Sequence, residues 1–185
     1  MSAAKQIGRT AQVLTALCAA AALTTAAFAC GPTRNKHVTT IEIDAPASKA
    51  WKVVGNYADF GWTGKIVQTD ATGELVPDVA RRKLTFHSGA VFTDQLSVLD
   101  PEQMTIAFMT DSEDVQELPV RNYASRITVR DENGRAMVEW RGAFVRGYPN
   151  NDPPPELSDD AAIKAVTVFQ KSALENLKRM LEAGH

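Results

Sequence analysis

The sequence predicts an α+β domain: a seven-stranded curved antiparallel sheet wrapped around a long C-terminal helix, with two short helices after strand 1. Three observations carry this. Six strand-like runs follow one another between Trp62 and Phe144 with only short turns between them, and strands so joined form an antiparallel meander. From Ser158 to Gly184 the apolar residues recur instead at three- and four-residue spacing, the period of a helix. Ahead of both lies one alternating run and two short helical stretches.

The first element in the chain is a leader that stands outside this fold. Met1–Thr10 is charged only through Lys5 and Arg9, and Ala11–Ala29 carries no charge and ends in Ala27-Phe28-Ala29. A basic start, an apolar middle and a small-x-small end are the pattern of a cleaved export signal, so residues 1–29 are expected to be removed. Residues 30–36 then read as a linker, and residues 37–185 as the domain. Cys30 falls directly after the expected cut, where a lipoprotein carries its acylated cysteine. The residues before it, Ala27 and Phe28, fit that motif poorly. A soluble periplasmic or secreted form is therefore expected, with lipidation at Cys30 as the alternative and the only route to a membrane.

His37–Asp44 alternates apolar and polar residues and reads as the first strand. Asp44-Ala-Pro-Ala-Ser48 turns the chain into a short helix, Ser48–Val54, with Ser48 or Asp44 available as cap. Gly55–Gly61 has room for no more than a second small helix or turn. The six runs follow: Trp62–Thr69, Ala80–Phe86, Ala90–Leu99, Met104–Met109, Val120–Arg130 and Arg135–Phe144. Thr72-Gly73, Ser88-Gly89, Asp100-Pro101 and Asp131-Glu-Asn-Gly134 separate them, the last a hairpin signal. Pro153-Pro-Pro155 stiffens the final connection. Ser158 can then cap the long helix, whose stripe of Ile163, Val166, Phe169, Ala173, Leu177 and Leu181 must bury against the sheet.

Alternation places Leu84 and Phe86, then Phe92, Asp94, Leu96 and Val98, on one sheet face. Ile106 and Phe108 join them, followed by Tyr123, Ile127, Val129, Val138, Trp140 and Phe144. With Phe169 from the helix these residues are candidates to line an apolar cavity, in which Asp94 and Tyr123 are the polar points. The plainer reading is a filled core. Arg126 falls on the opposite face from Tyr123 by the same alternation.

Chemistry beyond this is sparse. The whole chain carries 20 Lys+Arg against 22 Asp+Glu, and without its leader 18 against 22, net −4. This near-neutral to acidic balance argues against nucleic acid as a partner. His37, His87 and a single cysteine in the body cannot build a closed zinc site. No Gly-rich loop opens a helix after a strand, and nothing calls for a cofactor. The acidic residues Asp111, Glu113, Asp114 and Glu117 read first as a solvated loop and second as a docking patch for a basic partner. Asp152, Glu156, Asp159 and Asp160 read first as residues of the helix start and only second as a calcium or partner site.

Four stretches carry a resemblance. Ile41-Glu-Ile-Asp-Ala-Pro-Ala-Ser-Lys-Ala-Trp-Lys-Val-Val-Gly55 resembles the opening of the polyketide cyclase/dehydrase-like branch of the START/Bet v 1-like (SRPBCC) superfamily. Leu118-Pro-Val-Arg-Asn-Tyr123, Val138-Glu-Trp140 and the segment Phe144–Leu157 with its Asn-Asp-Pro-Pro-Pro-Glu-Leu block are similar to MxaD-type periplasmic proteins of methanol oxidation. The resemblance covers about residues 37–182 and implies the helix-grip fold. It further implies an accessory role between a periplasmic alcohol (methanol) dehydrogenase and its cytochrome c, or binding of an apolar small molecule or lipid. Where many relatives carry Trp-His-Pro this chain has Trp62-Thr-Gly64, so a role for that histidine does not transfer. The expected function is thus a non-catalytic exported accessory or binding protein with an apolar cavity. The alternative is a cyclase/aromatase-like enzyme using Tyr123 and Asp94, with Arg126, on a carbonyl substrate, or a hydrophobic-molecule carrier.

Overall fold

The computed structural model describes residues 31–183, so the leader and Cys30 lie outside the described residues. Strand β1 (Asn35–Ile43) is followed by helix α1 (Ala47–Val54), a 3₁₀ turn at Gly61–Thr63, and strands β2 (Ile66–Thr72), β3 (Arg81–Phe86), β4 (Val91–Asp100), β5 (Thr105–Ser112), β6 (Val120–Glu132) and β7 (Arg135–Arg146). A 3₁₀ turn at Pro155–Leu157 leads into helix α2 (Asp159–Glu182). The strands form one antiparallel sheet in the order β1-β7-β6-β5-β4-β3-β2. The meander is therefore complete, and β1 closes onto β7, the last strand. This is the helix-grip architecture.

Several boundaries differ from the sequence reading, each for a local reason. β1 begins at Asn35, two residues before the expected strand, because Asn35 and Lys36 pair with Phe144 and Ala143 on β7. Neither Ser48 nor Asp44 caps α1. Pro46 takes the cap position at φ −58°, with no side-chain bond. Trp62 belongs to a 3₁₀ turn and not to a strand, because Phe60 and Trp62 pack edge-to-face, 5.1 Å apart, inside the core. At the β6–β7 hairpin the expectation holds, with Asn133 at φ 57° and Gly134 at φ 83°, the left-handed pair that a two-residue hairpin requires.

Helix α2 is capped as expected: the Ser158 hydroxyl accepts the Ala161 N–H at 3.2 Å. Its buried stripe, however, runs through Ala162, Val166, Gln170, Ala173, Leu174, Leu177 and Leu181. Ile163 lies outside it, 38% exposed, and Phe169 is half-buried. The helix packs on β1, β7 and the Gly61–Thr63 turn, where small residues such as Ala162 and Ala173 permit close approach. Arg146 fixes the proline-rich connection into α2. Its guanidinium donates to the Tyr148 carbonyl at 3.1 Å, the Asn150 carbonyl at 2.9 Å and the Asp159 carboxylate at 2.7 Å. Asn35 donates to the same carboxylate at 2.8 Å.

Candidate functional site

Over β3 to β6 the concave face is filled by rings rather than by helix. Phe60 lies 5.5 Å from Phe108 and 5.9 Å from Trp140, Phe86 lies 4.8 Å from Phe92, and Phe169 lies 5.6 Å from Trp140. These rings leave an interior void of about 20 Å³, room for about one water molecule. The expected cavity residues divide here. Leu84, Phe86, Phe92, Asp94, Phe108, Tyr123, Trp140 and Phe169 line the void, joined by Phe60, Thr110 and Leu118. Leu96, Ile106, Ile127 and Phe144 are buried in the surrounding core, as are Val129 and Val138. Val98 turns outward, because Ser97 is an extra residue at a bulge between the pairs Leu96–Phe108 and Val98–Ala107. Leu99 takes the inward place.

A second space opens to the surface beside this void. A cleft of about 390 Å³ lies between the first half of α2 and the ends of the sheet, lined by Lys65, Phe86, Glu117, Leu118, Ala161, Lys164, Ala165, Val168 and Phe169. Val168 is 57% exposed there. Phe86, Leu118 and Phe169 line both spaces, so they form the partition between cleft and void.

Asp94 is buried and fully engaged. One carboxylate oxygen accepts Arg82 Nε at 3.0 Å and Arg82 Nη2 at 2.9 Å, and the other accepts the Thr110 hydroxyl at 2.8 Å. The Arg82 guanidinium is stacked among Tyr57, Phe60 and Phe108, at 4.5, 4.0 and 4.3 Å from their centroids. Burial pushes the Asp94 carboxyl up, and Arg82 and Thr110 oppose this. The carboxylate is thus held inside the protein by the Arg82 guanidinium and the Thr110 hydroxyl. Arg82 escaped the sequence reading, although it shares parity with Leu84 and Phe86. Its place in Arg81-Arg82-Lys83 reads as surface.

Tyr123 is also buried. Its hydroxyl accepts the Gln170 side-chain N–H at 2.9 Å, and burial pushes it up to about 12. Gln170 in turn accepts from the Thr39 hydroxyl at 2.9 Å, and Thr39 lies 3.1 Å from His37 Nε2. Gly142 makes this crossing possible. A Cβ there would sit 2.7 Å from Gln170 Nε2 and 2.9 Å from a Tyr123 ring carbon, closer than any side chain tolerates. Sequence reasoning missed Gln170, though Val166, Gln170 and Leu174 share the four-residue step of the buried stripe.

The remaining candidates stay apart from the void. Arg126 is exposed on the outer sheet face, as alternation requires. Each acidic residue of the Asp111–Glu117 run has a local partner. Asp111 pairs with Arg81, Glu113 accepts the Tyr123 backbone N–H at 3.4 Å, Asp114 that of Gln116 at 2.9 Å, and Glu117 the Ser88 hydroxyl at 2.6 Å. Among the described residues no three His, Cys, Asp or Glu side chains converge to hold a metal ion, and no helix is long and apolar enough to cross a membrane.

Comparison with solved structures finds the same fold repeatedly. The protein XoxI from Bacillus cereus superposes with a TM-score of 0.66 at 23% identity, over 81% of this chain and 98% of its own. A protein from Nitrosospira multiformis gives 0.64 at 21% identity, over 82% and 100%. The Zhui aromatase/cyclase from Streptomyces sp. R1128 gives 0.64 at 16% identity, over 81% and 94%. At these identities the likeness shows the fold alone. Comparison with curated proteins finds no match. The family model described as "Polyketide cyclase / dehydrase and lipid transport" matches residues 35–182, nearly the whole described chain, and the protein belongs to that family.

Proposed function

We propose that this protein binds an apolar small molecule or lipid segment in the cleft beside α2 and performs no chemistry on it. The single observation that carries this is the contiguity of an open apolar cleft with a ring-lined void across the Phe86–Leu118–Phe169 partition. A concave, mostly apolar site of a few hundred Å³ is the usual form of a small-molecule site. The acid–base pair that turnover would need has no free member, since Asp94 is tied to Arg82 and Thr110, and the Tyr123 hydroxyl stays protonated far above neutrality. Titration with an apolar fluorescent probe, such as N-phenyl-1-naphthylamine, tests the site. Saturable binding that Val168→Asp abolishes without unfolding supports it, and binding unaffected by that change refutes it.

The finer reading is an exported accessory protein of a periplasmic alcohol (methanol) dehydrogenase and its cytochrome c. It rests on the leader pattern of residues 1–29 and on the MxaD-like block Asn151–Leu157. It predicts salt-sensitive retention of a dehydrogenase or cytochrome c from periplasmic extract at low ionic strength. Retention of neither under those conditions counts against it.

A further inference from the structure

The outer face of the sheet carries a groove of about 470 Å³, on the side away from both cleft and void. Two neighbouring rows of register partners build it, each crossing the strands. In the first row Val38, Arg141, Arg126, Ala107 and Val98 pair in turn from β1 to β4. In the second, Lys36, Ala143, Ala124 and Met109 pair in turn from β1 to β5. On β7 and β6, therefore, two arginines stand beside two alanines, and long exposed side chains wall a floor of short half-buried ones. Val38 and Met109, 51% and 38% exposed, extend the apolar surface at the two ends. The bulge at Ser97 belongs to this groove, since it brings Val98 onto the outer face, and bulges re-aim side chains in this way beside functional sites.

The charge of the groove is as uneven as its shape. Arg126 and Arg141 are direct register partners, and like charges so placed repel. Glu139 answers Arg141 at 2.6 Å but also Arg130 at 3.4 Å. Among the described residues Arg126 and Lys36 have no ion-pair partner, and no residue lining the groove is acidic. Acidic residues outnumber basic ones in the whole chain, 22 to 20, so this cationic face is a local arrangement. We propose that the groove docks an acidic amphipathic helix of another protein. The helix seats an apolar side chain on Ala143 and Ala124 and sets carboxylates against Arg126, Arg141 and Lys36, which relieves their repulsion. The backbone decides between a helix and an extended segment. Strands β7 and β6 are paired on both sides, so their outer face offers no backbone donor or acceptor, and an occupant must satisfy its own. Five strands about 4.8 Å apart span about 19 Å, the length of about 13 helical residues. A bilayer is disfavoured, because its entry needs apolar groups that protrude past the charges, and here the alanines lie beneath the guanidinium groups.

The test is independent of the cleft. A fluorescein-labelled model helix with a leucine stripe flanked by glutamates is titrated into the full protein at low salt, beside the same peptide with lysines in place of the glutamates. The glutamate peptide should bind saturably, and the lysine peptide about tenfold more weakly or not at all. Arg126→Glu should weaken the glutamate peptide by about tenfold or more. Ala124→Gln, which fills the floor at unchanged charge, should weaken it by about three- to tenfold. Both variants should melt where the unaltered protein does, and Ala143→Gln takes the place of Ala124→Gln should that one fail to fold. Absence of saturable binding overturns the proposal. So does indifference to the filled floor, which would reduce the binding to general charge attraction. Vesicles of phosphatidylglycerol and phosphatidylcholine that retain the protein, and release it on Arg126→Glu, would overturn it in favour of a membrane. A dimer in sedimentation that Arg126→Glu returns to monomer would overturn it in favour of a second copy. Binding of N-phenyl-1-naphthylamine should be the same in all these variants, so failure of either reading leaves the other standing.

Discussion

Arg82 and Asp94 are direct register partners on β3 and β4, and the guanidinium turns sideways to give two N–H bonds to a single carboxylate oxygen. Both side chains are almost fully buried, at 1% and 2% exposure. Removing one member therefore strands the other's charge. Asp94→Ala should cost about 3–5 kcal/mol, whereas Arg82→Met with Asp94→Leu should cost much less or nothing. Urea denaturation of the two variants checks this. Equal losses would mean that the pair contributes net stability of its own.

Alkaline pH should expose the two buried tyrosines. Burial raises Tyr123 to about 12 and lifts Tyr57 further still, while in the unfolded chain both ionise near 10. The folded state thus keeps protons that the unfolded state loses. Stability from these groups is fully present below about pH 10 and declines as pH rises from there toward 12, by about 1.4 kcal/mol per pH unit for each group. Tyr123→Phe should remove about half of that slope in denaturation curves collected across this range.

Gly142→Ala should destabilise although alanine suits a strand as well as glycine does. The added methyl would meet the Gln170 amide and the Tyr123 ring, and overpacking of this kind costs about 1–3 kcal/mol. Gln170→Ala in the same chain removes the amide contact and leaves the ring contact, so the double change should be less destabilising than the sum of the single ones. Thermal denaturation of the four proteins reads the coupling.

Phe169→Ala should join cleft and void into one space. Because the ring is half-buried, the stability loss should fall below the 3–5 kcal/mol typical of a core phenylalanine, at about 2 kcal/mol. The apolar probe should bind with altered affinity and a blue-shifted emission. An unchanged spectrum and affinity would place the probe elsewhere.

Arg146→Ala should release the proline-rich connection. Three of its acceptors, the carbonyls of Tyr148 and Asn150 and the Asp159 carboxylate, are lost at once. Limited proteolysis should then cut within residues 149–153, ahead of the three prolines, at protease levels that leave the unaltered protein whole.

Much of this architecture is legible in the residues because alternation is a hard geometric rule. Leu84, Phe86, Phe92, Phe108, Tyr123 and Trp140 all face inward as their parity demands. The rule fails at Val98, where the bulge at Ser97 advances the count by one and no glycine or proline announces it. On α2 the apolar residues alone pointed to Ile163. The helix instead sits close enough to the sheet that Ala162 faces it and Ile163 does not. Gln170 and Arg82 were hidden for the opposite reason: their polarity argues for solvent, and only the partners Tyr123 and Asp94 make burial affordable. The volume left between Phe60, Trp140 and Phe169 depends on ring orientations, which a one-dimensional pattern does not hold.

The pairing of β1 with β7 also has a temporal side. Asn35 finds its partner at Phe144 and Ile43 at Ala136, so the N-terminal strand has no hydrogen-bonding neighbour until most of the polypeptide exists. Helix α2, made later still, supplies Phe169, which packs on Trp140 and lines the void. A chain emerging N-terminus first therefore remains an open meander with an uncovered aromatic face for most of its synthesis, and its folding is gated by closure between distant segments. Such a molecule stays threadable until its final stretch appears.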